Sequence, residues 1–231
     1  MRLYWIRHGQ MDMRASLRAD FASINSLFNQ ESQGALTPRG VREAQAVARH
    51  FERNPVDALY SSPLVRAVQT AEATAQALRK PLSVHEGITE LRTGKLPEDS
   101  GAARFVRRVT QAPLLSAEAK KFILGGALIP LYFQNWRQGR TQGGESPADL
   151  QARLTKVFQE LGRAHGQSAK IALFAHGYLI FYLSAVLAEP SLLRLTVMPR
   201  PYLRNGSITE MELSQSGKLE LVSYAKTGHL G

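Results

Sequence analysis

Two histidines stand where short apolar runs meet a glycine. Leu3-Tyr4-Trp5-Ile6 ends in Arg7-His8-Gly9, and Ile171-Ala172-Leu173-Phe174 ends in Ala175-His176-Gly177. Such runs read as buried strands, so the spacing brings two imidazoles to one edge of a sheet. An arginine directly before the first histidine supplies a planar, permanently charged fork that matches two phosphate oxygens. An imidazole next to it is a suitable nucleophile, attacking through one ring nitrogen while a backbone carbonyl holds the other. Arg66, in Ser61-Ser62-Pro63-Leu64-Val65-Arg66, offers a second fork, and Glu90 follows a third apolar segment as a candidate acid for a leaving oxygen, with Glu86, Glu98 and Asp99 as nearby rivals. The chemistry these types allow is phosphoryl transfer, which needs a nucleophile, cationic donors and an acid.

The elements that position them alternate between strand and helix. Thr37-Pro38 predicts a helix start with Thr37 as N-cap, continued by Val41, Ala44, Val47, Ala48 and Phe51 and ended at Asn54-Pro55. Ala58-Leu59-Tyr60 predicts a strand, Ser61-Ser62 a cap, and Pro63 the start of a helix through Leu78. Leu82-Ser83-Val84 predicts a third strand. Ser146-Pro147 opens a helix through Leu161, a helix is expected near 178–188, and 207–213 with 218–224 predicts a hairpin around Ser216-Gly217. The expected fold is α/β and three-layered: a mostly parallel central sheet, helices on both faces, and an inserted helical cap. Ligands of such sheets bind beyond the carboxyl ends of the strands, where His8, Ser61-Ser62 and His176 fall.

The chain has 231 residues, a net charge of +10 and no cysteine, which excludes disulfides and thiolate metal sites. One domain over 1–231, with 95–143 as an inserted cap, is the expected organisation. The charge is concentrated: from Gly101 to Arg140 seven basic residues face one acid, Glu118. That balance favours anionic partners, a phosphorylated small molecule foremost. Nucleic-acid binding is not expected, since neither a recognition motif nor an aromatic-basic platform accompanies the charge. The twelve-residue run Phe122–Phe133 is too short to span a bilayer, which takes about 20 residues. Its expected role is the small core of the cap, with Gly125-Gly126 giving it mobility. A cytoplasmic location is expected because Met1-Arg2 runs straight into the first strand, and no feature of the sequence assigns an oligomeric state.

The ordered set of motifs resembles the histidine phosphatase superfamily, also called phosphoglycerate mutase-like, in its smaller cytoplasmic-type branch. The pieces that carry the resemblance are Arg7-His8-Gly9, Leu36-Thr37-Pro38-Arg39-Gly40 with Gln45-Ala46, Ser61–Ala67 with Gln69-Thr70-Ala71, Glu90-Leu91 with Gly94, Gly144-Glu145-Ser146 with Asp149 and Arg153, and Ala175-His176-Gly177. Asn205-Gly206-Ser207 and His229-Leu230 also fit. The resemblance implies that His8 is phosphorylated, that Arg7, Arg66 and His176 form the phosphate pocket, and that Glu90 protonates the leaving group and then activates water. It implies no metal or other cofactor, because arginine and imidazole cations neutralise the transferred group. Two positions depart from the family: Met11 lacks the usual hydroxyl, and Arg14 stands where asparagine is common and is expected to bind phosphate in its place. A phosphatase is therefore expected, with a phosphoglycerate mutase-type phosphotransferase or a low-activity phospho-ligand binding protein as alternatives. Glu145 is expected to cap or brace the following helix, and His229 to make a structural tail contact. His50, His85 and His165 are read as ordinary surface residues.

Overall fold

The computed structural model describes residues 1–12, 34–116, 133–188 and 203–231, with Ala119, Ile123 and Leu131 besides. The chain divides into two compact units, one of Met1–Asp12, Gln33–Leu91 and Arg153–Gly231, the other of Met13–Ser32 and Arg92–Ala152.

The first unit holds a six-stranded sheet, β1 (Arg2–Arg7), β2 (Ala58–Ser61), β3 (Leu82–Val84), β4 (Lys170–Ala175), β5 (Ile208–Leu213) and β6 (Leu219–Lys226), in the order β3-β2-β4-β1-β5-β6. The first four neighbours run parallel, and β5 and β6 are antiparallel, so the sheet is mixed with a parallel half. Helix α1 (Pro38–Arg53) follows the first crossover and α2 (Val65–Leu78) the second. Val47 and Phe51 of α1 and Ala71 of α2 pack with Ile6, Leu59, Ala172 and Phe174 on one sheet face. Leu3, Trp5, Ile171 and Leu173, of the opposite strand parity, are fully buried as well. Both faces are therefore covered, as the continuous apolar runs of β1 and β4 require.

Thr37 caps α1 as expected, its side chain accepting from the Gly40 N–H at 3.1 Å. Helix α2 starts later than expected. Leu64 is the N-cap and has no side-chain cap bond; the Ser62 hydroxyl accepts from the Leu64 N–H at 3.3 Å and meets His176 Nε2 at 2.8 Å. The last long helix, α4 (Pro147–Ala164), opens with a reciprocal Ser146–Asp149 pair. The helix expected near 178–188 is two pieces, α5 (Gly177–Tyr182) and a π-helical turn over Leu183–Ala188, a change of period that apolar spacing does not reveal.

In the second unit, Ser100 caps α3 (Gly101–Thr110) by accepting from the Ala103 N–H at 3.0 Å, and Val106 and Val109 are buried beneath it. The Glu145 carboxylate accepts from the Arg92 N–H at 3.1 Å, and its carbonyl from the Trp136 indole at 2.6 Å. Most of Phe122–Phe133, including Gly125-Gly126, lies outside the described residues. Among the described residues no helix is long and apolar enough to cross a membrane.

Candidate active site

The carboxyl ends of the four parallel strands supply the polar residues: His8 after β1, Ser62 and Arg66 after β2, Glu90 after β3 and His176 after β4. The His8 turn is fixed by backbone chemistry. Its N–H continues the β1–β4 ladder to the Ala175 carbonyl at 3.1 Å, and its carbonyl accepts from Asn205 Nδ2 at 2.9 Å. The Gly9 N–H donates to Thr70 Oγ1 at 3.0 Å, and that hydroxyl donates to the Arg66 carbonyl at 2.6 Å. Thr70 thus ties the His8 turn to the helix that carries Arg66. Only glycine fits at position 9, since a Cβ there would lie 2.5 Å from the Gly40 carbonyl oxygen.

The His8 tautomer follows from its neighbours. Nδ1 faces the Gly9 carbonyl at 2.8 Å and must be the protonated nitrogen, leaving the Nε2 lone pair to accept from Arg66 Nε at 3.2 Å. His8 is only 5% exposed, and burial, then the Arg7 and Arg66 charges, lower its proton affinity well below that of an ordinary histidine. The His176 ring lies 5.3 Å from it, centroid to centroid. His176 is fully buried; burial first, and then His8, Arg66 and Arg7, depress it in the same direction. Its Nε2 is 2.8 Å from Ser62 Oγ, while its buried Nδ1 has no hydrogen-bond partner in the described residues. A buried polar atom left open beside a second imidazole and two guanidinium groups suits an oxyanion ligand.

Glu90 is held at the start of α5. Oε1 accepts from the Leu179 N–H at 2.8 Å and the Leu91 N–H at 2.9 Å, and Oε2 from the Tyr178 N–H at 3.1 Å. Burial raises its proton affinity above that of a free carboxyl, opposed by the three N–H bonds and by Arg66. Its rivals differ: Glu86, Glu98 and Asp99 are exposed. Arg7 donates from Nη1 to the Leu203 carbonyl and is close enough to depress both histidines. Arg66 is 6% exposed, and burial, opposed by Glu90, lowers its proton affinity.

Of the expected site residues, Arg7, His8, Arg66, Glu90 and His176 gather in one place, and Arg14 lies outside the described residues. Ser62, Thr70 and Asn205 join them without having been assigned roles from sequence. The usable signal was a polar side chain beside a strand-end turn, or four residues beyond Arg66 on the same helix face. Three histidines read as surface residues are engaged. His85 Nε2 meets Glu160 at 2.9 Å, His165 Nε2 meets the Tyr60 hydroxyl at 2.8 Å, and His50 packs on His229 with ring centroids 5.3 Å apart. His229 makes the expected tail contact, with Nε2 2.9 Å from the Gly206 carbonyl.

Fold and site define an α/β protein whose paired histidines and guanidinium groups converge at the carboxyl edge of a parallel sheet half. The model of the histidine phosphatase superfamily (branch 1) matches residues 3–108 and 126–227, and the chain belongs to that superfamily. "Probable phosphoglycerate mutase GpmB" of Proteus mirabilis is 26% identical over 217 residues, covering 94% of this chain and 86% of its own length. Among solved structures, the mycobacterial glucosyl-3-phosphoglycerate phosphatase in complex with VO3 shares the fold with a TM-score of 0.66 at 21% identity, over 98% of this chain and 99% of that one. A mutant phosphoserine phosphatase of Entamoeba histolytica, in complex with phosphoserine, does so with a TM-score of 0.59 at 22% identity, over 100% of this chain and 99% of that one.

Proposed function

We propose that the protein is a phosphatase that hydrolyses a small anionic phosphomonoester through a phosphohistidine on His8. The observation that carries this is the His8 tautomer: Nδ1–H rests on the Gly9 carbonyl, and the Nε2 lone pair faces Arg66 Nε at 3.2 Å. In the proposed reaction Nε2 attacks phosphorus, and the Arg66 N–H turns from the ring to a phosphoryl oxygen. Arg7, Arg66 and the open Nδ1 of His176 bind the non-bridging oxygens, with Arg14 as a further ligand. The bond from phosphorus to the ester oxygen breaks, and that oxygen leaves with the Glu90 proton. The Glu90 carboxylate then takes a proton from water, whose oxygen attacks phosphorus. The P–N bond breaks, restoring the Nε2 lone pair and releasing inorganic phosphate. The guanidinium groups supply the positive charge, so the proposed reaction is metal-independent and persists in a chelator. The proposed organisation is one catalytic domain over 1–231 with 95–143 as a sequence insertion.

His8→Ala is expected to abolish phosphate release from an aryl phosphate, and acid-labile phosphate is expected to accumulate on the wild-type protein alone. Full turnover by His8→Ala refutes the proposal. The 26% identity to a protein named as a phosphoglycerate mutase favours a second reading, transfer of the phosphoryl group to another hydroxyl. Isomer formed in place of inorganic phosphate from a phosphoglycerate identifies that case.

A further inference from the structure

Glu90 is held twice, once at its carboxylate by α5 and once through its main chain. The segment that delivers it is a 3₁₀ turn, Glu86–Ile88, that lies against α4. Arg153 Nη1 donates to the Gly87 carbonyl at 2.7 Å and to the Thr89 carbonyl at 3.1 Å, the latter adjoining Glu90. One turn further along α4, fully buried Val157 packs so closely that a Cβ on Gly87 would lie 2.4 Å from Val157 Cγ2. At the next turn Glu160 accepts from His85 Nε2 at 2.9 Å, and His85 Nδ1 in turn accepts from the Gly87 N–H at 2.9 Å. Positions 153, 157 and 160 are spaced by four and three, so one stripe of α4 clamps the whole turn.

This clamp matters because the carboxylate anchor depends on protonation. The three N–H bonds to Glu90 favour its charged form, and a carboxyl that takes up a proton gives that oxygen a donor where it needs an acceptor. The side-chain anchor therefore weakens in the state that must donate a proton. The main-chain tether to Arg153 does not change with that proton.

The geometry points to Arg153 as a positioning residue for Glu90, holding the acid in place through the Gly87 and Thr89 carbonyls during both proton transfers; this rests on the phosphatase reading above. A misplacement on the ångström scale lowers proton transfer by about 100-fold. In kcat/KM, which reports formation of the phosphohistidine and not its hydrolysis, the effect must appear only where the leaving oxygen needs a proton. An alkyl phosphate expels a strongly basic alkoxide and needs the acid, whereas 2,4-dinitrophenyl phosphate expels a weak base and does not.

The test compares wild type, Glu90→Gln, Arg153→Met and the double variant on glycerol phosphate and 2,4-dinitrophenyl phosphate. Arg153→Met is expected to lower kcat/KM about 100-fold on the alkyl ester and by less than about 10-fold on the dinitrophenyl ester. Arg153→Lys, which keeps a cationic donor on a shorter side chain, is expected to recover part of the loss. In the Glu90→Gln background the Arg153 substitution is expected to add no more than about 3-fold, since the two act through one group. Equal losses on the two esters, or the full Arg153→Met loss persisting without Glu90, overturn the inference. If Arg153→Met fails to fold by circular dichroism, Gly87→Ala replaces it, pushing the same turn off Val157. The same bias between esters is expected, and an unbiased loss overturns the proposal. Glu90→Gln alone with no bias refutes the role of Glu90 itself and this inference with it. That outcome is distinguishable because it is read before Arg153 is touched.

Discussion

Replacing Thr70 by valine removes one hydroxyl with almost no change of shape, and two bonds depend on it. Thr70 is fully buried; its Oγ1 accepts from Gly9 N–H at 3.0 Å and donates to the Arg66 carbonyl at 2.6 Å. The Arg66 carbonyl, one helical turn back, keeps its main-chain acceptor role in α2. The Gly9 N–H has no such reserve and is left buried without an acceptor, which costs about 1–3 kcal/mol. The added methyl returns up to about 0.8 kcal/mol. A net loss of about 0.2–3 kcal/mol follows, or a fall in Tm of up to roughly 12 °C for a chain of this size. Activity is expected to suffer more than stability, because Gly9 supplies the carbonyl on which the His8 ring rests. With the turn unlatched from α2, His8 Nε2 and Arg66 lose their fixed separation, and kcat is expected to fall about 10- to 100-fold. Urea unfolding and phosphate release measure the two effects. Thr70→Ser keeps the hydroxyl and is expected to stay near wild type in kcat. Thr70→Val with unchanged kcat and stability within about 0.5 kcal/mol of wild type refutes the latch, as does equal damage from serine and valine.

Other outcomes follow from the charge states of the site. The proposed reaction needs neutral His8 and protonated Glu90; burial and the arginines lower the first and burial raises the second, so kcat/KM for an alkyl monoester is expected to peak on the acid side of neutrality. Glu90→Gln is expected to remove the alkaline limb of that profile, and a retained limb assigns it elsewhere. Stability has its own pH signature: His8 and His176 have lowered folded-state affinities, so their contribution is complete above pH 6.5 and is lost as pH falls below it, each by about 1.4 kcal/mol per pH unit until the folded form titrates. Glu90, raised, has the opposite sign: its contribution is complete below pH 4.5 and is lost as pH rises through its folded value, offsetting part of the histidine loss. The test therefore uses Glu90→Gln, whose urea melts between pH 6.5 and 5.5 are expected to show a loss of roughly 2 kcal/mol; a flat profile there shows that the histidines are not buried neutral. Orthovanadate at 100 times its Kd is expected to stabilise the fold by about 2.7 kcal/mol, and Arg66→Ala to abolish the shift.

The sheet half that carries the site was legible because its signals are local. An apolar run, a basic or small residue, a histidine and a glycine describe the end of a buried parallel strand, and β1 and β4 end that way. What pattern reading missed depends on contacts between distant segments. Asn205 reaches the His8 carbonyl across 197 residues, and nothing near Asn205 announces that partner. Ser62 reads as a cap because serine before a helix usually caps it. Here its hydroxyl meets His176 Nε2 at 2.8 Å and accepts from the Leu64 N–H at 3.3 Å, outside the helix, and α2 begins at Val65 with no side-chain cap. Local preference gave way where function claimed the group, which is where such failures are expected. His85 failed for a related reason: composition marks it as a surface residue, while its two ring nitrogens are committed to Glu160 and the Gly87 N–H.

The same charges that weaken His8 as a base suit it to the proposed reaction. Arg7 and Arg66 depress the proton affinity of its ring, and a less basic nitrogen is a poorer nucleophile. A proton would add positive charge to an already positive site, whereas a phosphoryl group brings negative charge to it, so the field that opposes the one favours the other. The Gly9 carbonyl acts in the opposite sense to the arginines, raising the affinity of the ring. As the P–N bond forms, positive charge grows on the imidazole, and the carbonyl dipole is already aligned with Nδ1–H to meet it. Thr70 accepts from the N–H and Asn205 donates to the carbonyl of the His8–Gly9 peptide, and this anchored peptide is the one from which the Gly9 carbonyl turns back to the ring. Selectivity for phosphorus over a proton is then set less by the imidazole than by which of its neighbours are held rigid.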